Sequence, residues 1–137
     1  MMQPLFTNAI RVARVLVAMV FILNAIGVID QTIPAKEMME RGVPATIVPA
    51  SMWAGRTLEF VAGFALIFGI FPRVAALALL TFLIPATLVS HSFWLSAGTP
   101  AFMGQLINFS KNTAICGGLL FIGAASGQPS ILKRKRK

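Results

Sequence analysis

Four stretches of this chain are apolar on nearly every side, and its polar residues fall in the connectors and at a few interior positions. The runs cover about 12–29, 47–68, 74–90 and 105–125. A helix needs roughly 20 residues to cross about 30 Å of hydrocarbon, and one that is apolar all round is either deeply buried or faces lipid. The pattern therefore predicts four spanning helices. The third run is the shortest, and Pro85 within it removes a hydrogen bond to the Thr81 carbonyl, which predicts a kink. Between the first two runs, PAKEMMERGVP (34–44) reads as a short amphipathic helix, with Pro34 near its start and Gly42 and Pro44 ending it. Such a segment is expected to lie along the outer interface.

Composition settles the class. Of 137 residues, 57% are hydrophobic and 12% charged, whereas a soluble domain draws its polar surface from roughly 25% charged residues. The expected architecture is all-α: one integral membrane four-helix bundle over 1–132 with a basic tail, KRKRK, at 133–137. The net charge of +8 comes from twelve basic against four acidic residues. Taken alone, the tail resembles a nucleic-acid or nuclear-localisation patch, but a basic cluster just beyond an apolar run is better explained as a cytoplasmic flank at an anionic leaflet. No nucleic-acid partner is expected.

Four crossings put both termini on one side, together with Arg11, Arg14, Arg73 and the tail. By the positive-inside rule that side is the cytoplasm. The first run lacks the small-residue cleavage pattern of a secretory signal, and Asn24 interrupts it. One cysteine, Cys116, and one histidine, His91, leave no Cys/His metal set.

Arg56, Glu59 and Lys111 lie inside apolar runs, where a charge costs about 2.5–3.5 kcal/mol and normally faces protein or water with a partner. Arg56 and Glu59 are three residues apart and can pair along one helix face. Glu59 also belongs to a stripe of every fourth residue, Ser51, Gly55, Glu59 and Gly63, whose small members allow close helix approach. Gln105, Asn108, Lys111 and Asn112 share one face of the fourth helix. Thr87 and His91 lie near the outer end of the third, with Trp94 in an interfacial setting. Placed by depth, Asn24, Arg56, Glu59, Thr87, His91, Asn108, Lys111 and Asn112 gather in the outer half of the bundle. The expected ligand-binding set is Arg56, Glu59, His91, Trp94, Asn108, Lys111 and Asn112. The same charges also read as a structural network joining helices.

The chain resembles the DoxX family of small bacterial membrane proteins. The resemblance rests on Arg14 with Phe21, the GVP of residues 42–44, Glu59 followed by Arg73 in GIFPR, HSFW at 91–94 and INFSKN at 107–112. Ala25 and Val28 stand where family members often carry glycine and then lysine, Ser92 where an acid is common, and Arg56 is an addition. The family implies a four-helix bundle of the cytoplasmic membrane, with members linked to electron transfer to quinone and to redox or detoxification complexes.

Three functional readings follow. In the first, the nest binds a quinone-like or other polar-headed molecule, and the protein is a membrane subunit of a redox system with a redox partner protein; no catalytic residue is assigned, and it is not an enzyme on its own. In the second it is a non-catalytic assembly or interaction protein, and a homo-oligomer is compatible with either. The third, a small-solute or proton permease, lacks an evident inverted repeat.

Overall fold

The computed structural model describes residues 2–30 and 32–126. Every regular element among them is helical: α1 (Met2–Ala25), α2 (Thr32–Glu40), α3 (Val48–Phe68), α4 (Pro72–Ser90), a 3₁₀ turn (Phe93–Ser96) and α5 (Phe102–Ser126). The expected basic tail at 133–137 lies outside the described residues. Helix α1 packs on α3, α3 on α4 and α4 on α5, and α5 closes back onto α1. Neighbours run antiparallel: Asn24 meets Glu59 while Arg14 meets Gly69, and Thr87 meets Asn112 while Ala76 meets Gly123.

Both ends of α1 differ from the sequence reading. Helix α1 starts ten residues before the first apolar run, because helix formation does not require the apolarity that spanning does. It ends at Ala25 rather than Ile29, since Gly27 turns left-handed (φ +82°) and the Val28 and Gly27 amides bond back to Leu23 and Asn24. Helix α4 continues through Pro85 to Ser90; Pro85 interrupts one hydrogen bond without ending the helix.

Ala18, Phe21, Leu66, Ala76, Leu79, Leu119 and Ile122 form the centre of the core. The outer faces are apolar too: Leu16, Val61, Phe68, Val74, Leu77, Leu120 and Phe121 are all exposed. Two segments, Leu5–Ala25 and Pro72–Ser96, are long and apolar enough to cross a membrane. Helices α3 and α5, of 21 and 25 residues, span about 31 and 37 Å, but they carry the interior polar residues.

The turn between α3 and α4 fixes one end. Gly69 adopts φ 72° and, with Ile70, returns hydrogen bonds to Leu66 and Ala65, a Schellman closure that strongly favours glycine. The Arg14 guanidinium lies against it, placing a cation at the negative end of the α3 dipole; a Cβ on Gly69 would stand 2.8 Å from Arg14 Nη1. Gly69→Ala is therefore expected to cost about 1–2 kcal/mol from the left-handed backbone alone, and more if Arg14 is displaced. A lowered unfolding midpoint in detergent would register it; an unchanged midpoint would contradict the packing described.

Candidate functional site

At the opposite end, the last turns of α1 and α4 and the first half of α3 and α5 surround a cavity of about 850 Å³. Helix α2 lies over it, contacting α3 and α4. Val20, Phe21, Phe82, Leu83, Val89 and Ile115 form its apolar wall, and Asn24, Arg56, Glu59, His91, Gln105, Asn108 and Asn112 bring polar groups to it.

The small-residue stripe explains why Glu59 is inside. A Cβ on Gly55 would come within 2.9 Å of the Phe82 ring, and one on Gly63 within 2.9 Å of Ile22 Cδ1. With α4 and α1 drawn in at these two levels, Glu59 is held between them at 4% exposure. Its carboxylate accepts a hydrogen bond of 2.6 Å from Asn24 Nδ2, supplying the partner a buried polar group requires.

The expected Arg56–Glu59 ion pair is not made as a direct contact. Arg56 instead donates Nε to the Ala25 carbonyl at 2.9 Å, and its guanidinium carbon lies 5.3 Å from the centre of the Trp53 ring. The last carbonyls of α1 carry the negative end of its dipole and, together with the ring face, hold Arg56 away from its helical neighbour.

A second chain of hydrogen bonds joins α2 to the cavity. Gln105 Nε2 donates to Glu37 Oε1 at 3.2 Å, and Gln105 Oε1 lies 2.9 Å from His91 Nδ1. A carboxylate only accepts, so Gln105 turns its NH₂ to Glu37 and its oxygen to His91. His91 must then carry its proton on Nδ1, leaving Nε2 an acceptor when the ring is neutral. Arg41 Nη1 donates to Ser92 Oγ at 2.8 Å, and Ser92 donates in turn to the Leu88 carbonyl. Asn112 Nδ2 donates to Thr87 Oγ1 at 3.0 Å. At the rim, Thr32 donates both its backbone N–H and its hydroxyl to Asp30 at 2.9 Å, which holds the Asp30 carboxyl below its ordinary pKa.

Of the seven residues expected to bind ligand, Arg56, Glu59, His91, Asn108 and Asn112 line the cavity, while Lys111 and Trp94 do not. Successive helical residues turn by 100°, so Lys111 is rotated off the edge of the face that Gln105, Asn108 and Asn112 share; it is exposed. Trp94, 46% exposed, packs edge-on against Phe93 and Phe109, with centroids at 5.1 and 5.9 Å, and closes the turn between α4 and α5 rather than the cavity mouth.

Sequence reading missed Asp30 and Glu37, and left Gln105 out of the binding set, although all three line the cavity. Glu37 was counted as a connector charge, and α2 was expected at the interface rather than over the cavity. The signal was there: Pro34, Glu37, Met38 and Arg41 are spaced as one helix face, so an acid and a base lay on the side bearing Met38.

Apolar side chains on the outside of every long helix, with an acid sealed between them, define a helical, membrane-associated class of protein. Residues 9–92 match the model of the DoxX family, and the chain belongs to that family. The matched stretch includes Arg14, Glu59, Arg73 and His91 and stops before Trp94 and α5. No curated protein and no solved structure matches the chain.

Proposed function

We propose that this chain is a four-helix integral membrane protein of a bacterial inner membrane, with both termini in the cytoplasm, that binds one small amphiphilic molecule in the outer half of the bundle. The single observation carrying this reading is the cavity, with an apolar wall for a tail and several converging polar groups, among them the buried Glu59, for a head, the usual composition of a small-molecule site. The cavity lies at the end opposite Arg11, Arg14 and Arg73, so the positive-inside rule assigns it to the outer side. Quinone is the amphiphile the family resemblance implies, and membrane subunit of a redox system the role. In that form Arg56 and Asn108 are the groups available to donate to its carbonyl oxygens.

The test is a thermal-shift titration of the full chain in nonionic detergent with a short-chain quinone and with neutral amphiphiles of similar size. Saturable stabilisation by at least one of them is expected. Stabilisation by none, with no small molecule in a solvent extract of the purified protein, would reject the reading.

One observation favours a second reading, assembly with a partner. Lys111 is exposed on α5 about 13 Å along the helix from its start, where an unpaired cation facing lipid is costly. A partner helix bearing a carboxylate at that depth would relieve the cost.

A further inference from the structure

We propose that two copies of this chain associate in parallel along the outer face of α1, through Leu5, Ala9, Val12, Leu16 and Met19. The proposal uses neither the cavity nor Lys111, and it stands whichever end of the bundle faces the cytoplasm.

Helix α1 is longer than its place in the bundle requires. Arg14 lies against Gly69 in the α3–α4 turn, so residues 5–13 reach past that end of the bundle by about 13 Å. Between Leu5 and Ala25 there is no glycine or proline, the usual causes of a kink, and the helix runs unbroken. These turns therefore continue the line of α1 rather than folding down onto the bilayer surface.

The projecting residues are sorted by face. Successive helical positions turn by about 100°, which puts Leu5, Ala9, Val12 and Leu16 within about 60° of one another. With Met19 they recur at alternating intervals of four and three residues, the apolar spacing of a coiled-coil seam. All five are exposed, Leu5 at 72% and Val12 at 57%. The seam points directly away from Ala18, Phe21 and Ala25, which are buried in the bundle. Thr7, Arg11 and Arg14 also lie on the side away from it. Arg11 and Arg14 are the only charged side chains between Leu5 and Met19, so two copies can meet here without like charges across the contact.

Lipid covers Leu16 and Met19 as well as a protein neighbour does, and there helices gain only packing. Leu5, Ala9 and Val12 lie past the bundle end, where removing apolar surface from water drives association. A second copy inserted with the same topology presents the same stripe, parallel and at the same height. A two-fold axis along the membrane normal then sets each stripe against its equal.

Cysteine crosslinking tests this in native membranes. In a Cys116→Ala background, single cysteines are placed in turn at residues 5–13 and oxidised with copper phenanthroline. Disulfide-linked dimer is expected to peak for Leu5→Cys, Ala9→Cys and Val12→Cys and to fall for Thr7→Cys and Arg11→Cys. Light scattering of the wild-type chain in nonionic detergent is expected to give the mass of two chains. Leu5→Gln combined with Val12→Gln, both at exposed positions, should weaken the dimer about tenfold or more while the monomer keeps its helical content. Crosslinking that is equal at every position, or strongest at Thr7 and Arg11, would overturn the seam. So would a dimer undiminished in the double glutamine variant, which would place the contact elsewhere. A single-chain mass, with a fluorophore on Ala9→Cys quenched by brominated lipid, would overturn the proposal and assign this face to the bilayer.

Discussion

Asn24→Leu should destabilise the folded protein by about 2–4 kcal/mol, the largest loss expected from one substitution at the site. Glu59 is 4% exposed and takes a 2.6 Å hydrogen bond from Asn24. Removing one partner from a buried polar pair leaves the other with its full desolvation penalty, larger for a carboxylate than for a neutral group. Leucine adds apolar contact but no donor. Chemical denaturation in detergent measures the loss, and a double-mutant cycle isolates its cause. Asn24→Leu combined with Glu59→Leu should recover much of the stability lost by Asn24→Leu alone, because replacing both members of a buried pair with apolar groups can be nearly neutral. If the two losses simply add, the Asn24–Glu59 contact is not what holds α1 to α3 at this level.

Gly104→Trp is expected to act on binding rather than on folding. Gly104 lies in the first turn of α5 and lines the cavity, and a Cβ there would meet nothing within 4 Å. Replacing a helical glycine relieves up to about 1 kcal/mol of unfavourable propensity, so the unfolding midpoint should not fall. An indole introduced at this position takes up cavity space, and affinity for the amphiphile should drop about tenfold or more, the equivalent of about 1.4 kcal/mol. Undiminished affinity in a folded Gly104→Trp protein would place the ligand somewhere other than this cavity.

The two substitutions draw on different parts of the sequence, and these were not equally legible. The stripe from Ser51 to Gly63 could be read directly, because period-four spacing of small residues along an apolar run has one physical use, close helix approach, and it carried Glu59 inward with it. His91, Asn108 and Asn112 were also legible from depth and spacing. The partners were not. Arg56 lies one turn from Glu59, which suggested a pair, but Trp53 lies one turn away on the other side at the same spacing, and the further attraction came from the end of α1, which no spacing within α3 reveals. Lys111 was assigned to the polar face of α5 by spacing alone, and a rotation of about 100° from Asn112 was enough to leave it outside. Glu37 was missed for the opposite reason. A charged residue in a connector is ordinarily solvated, and only the docking of α2 over the cavity places its carboxylate against Gln105.

The outer surface and the cavity impose opposite requirements on the same helices, and α3 meets both. Phe60, Phe64 and Phe68 stack along its outer side with centroids 4.8 and 5.8 Å apart, while Ser51, Gly55 and Glu59 line the cavity on the other. The aromatic row suits lipid, and the small row leaves space. The cavity is therefore a consequence of the stripe's small members as much as of its acid: bulkier residues at Ser51 and Gly55 would fill the volume that the polar groups surround.

The most direct measurement is a density map of the full chain in lipid nanodiscs, at a resolution that shows side chains. The expected result is an elongated molecule against Phe21, Phe82 and Leu83, with its head within hydrogen-bonding distance of Arg56 or Asn108 and near Glu59, and with Asn24 still bonded to Glu59. A map in which the cavity is closed by its own side chains, or in which Glu59, Glu37 and His91 face separate surroundings, would contradict the ligand site and leave the buried polar groups as links between helices.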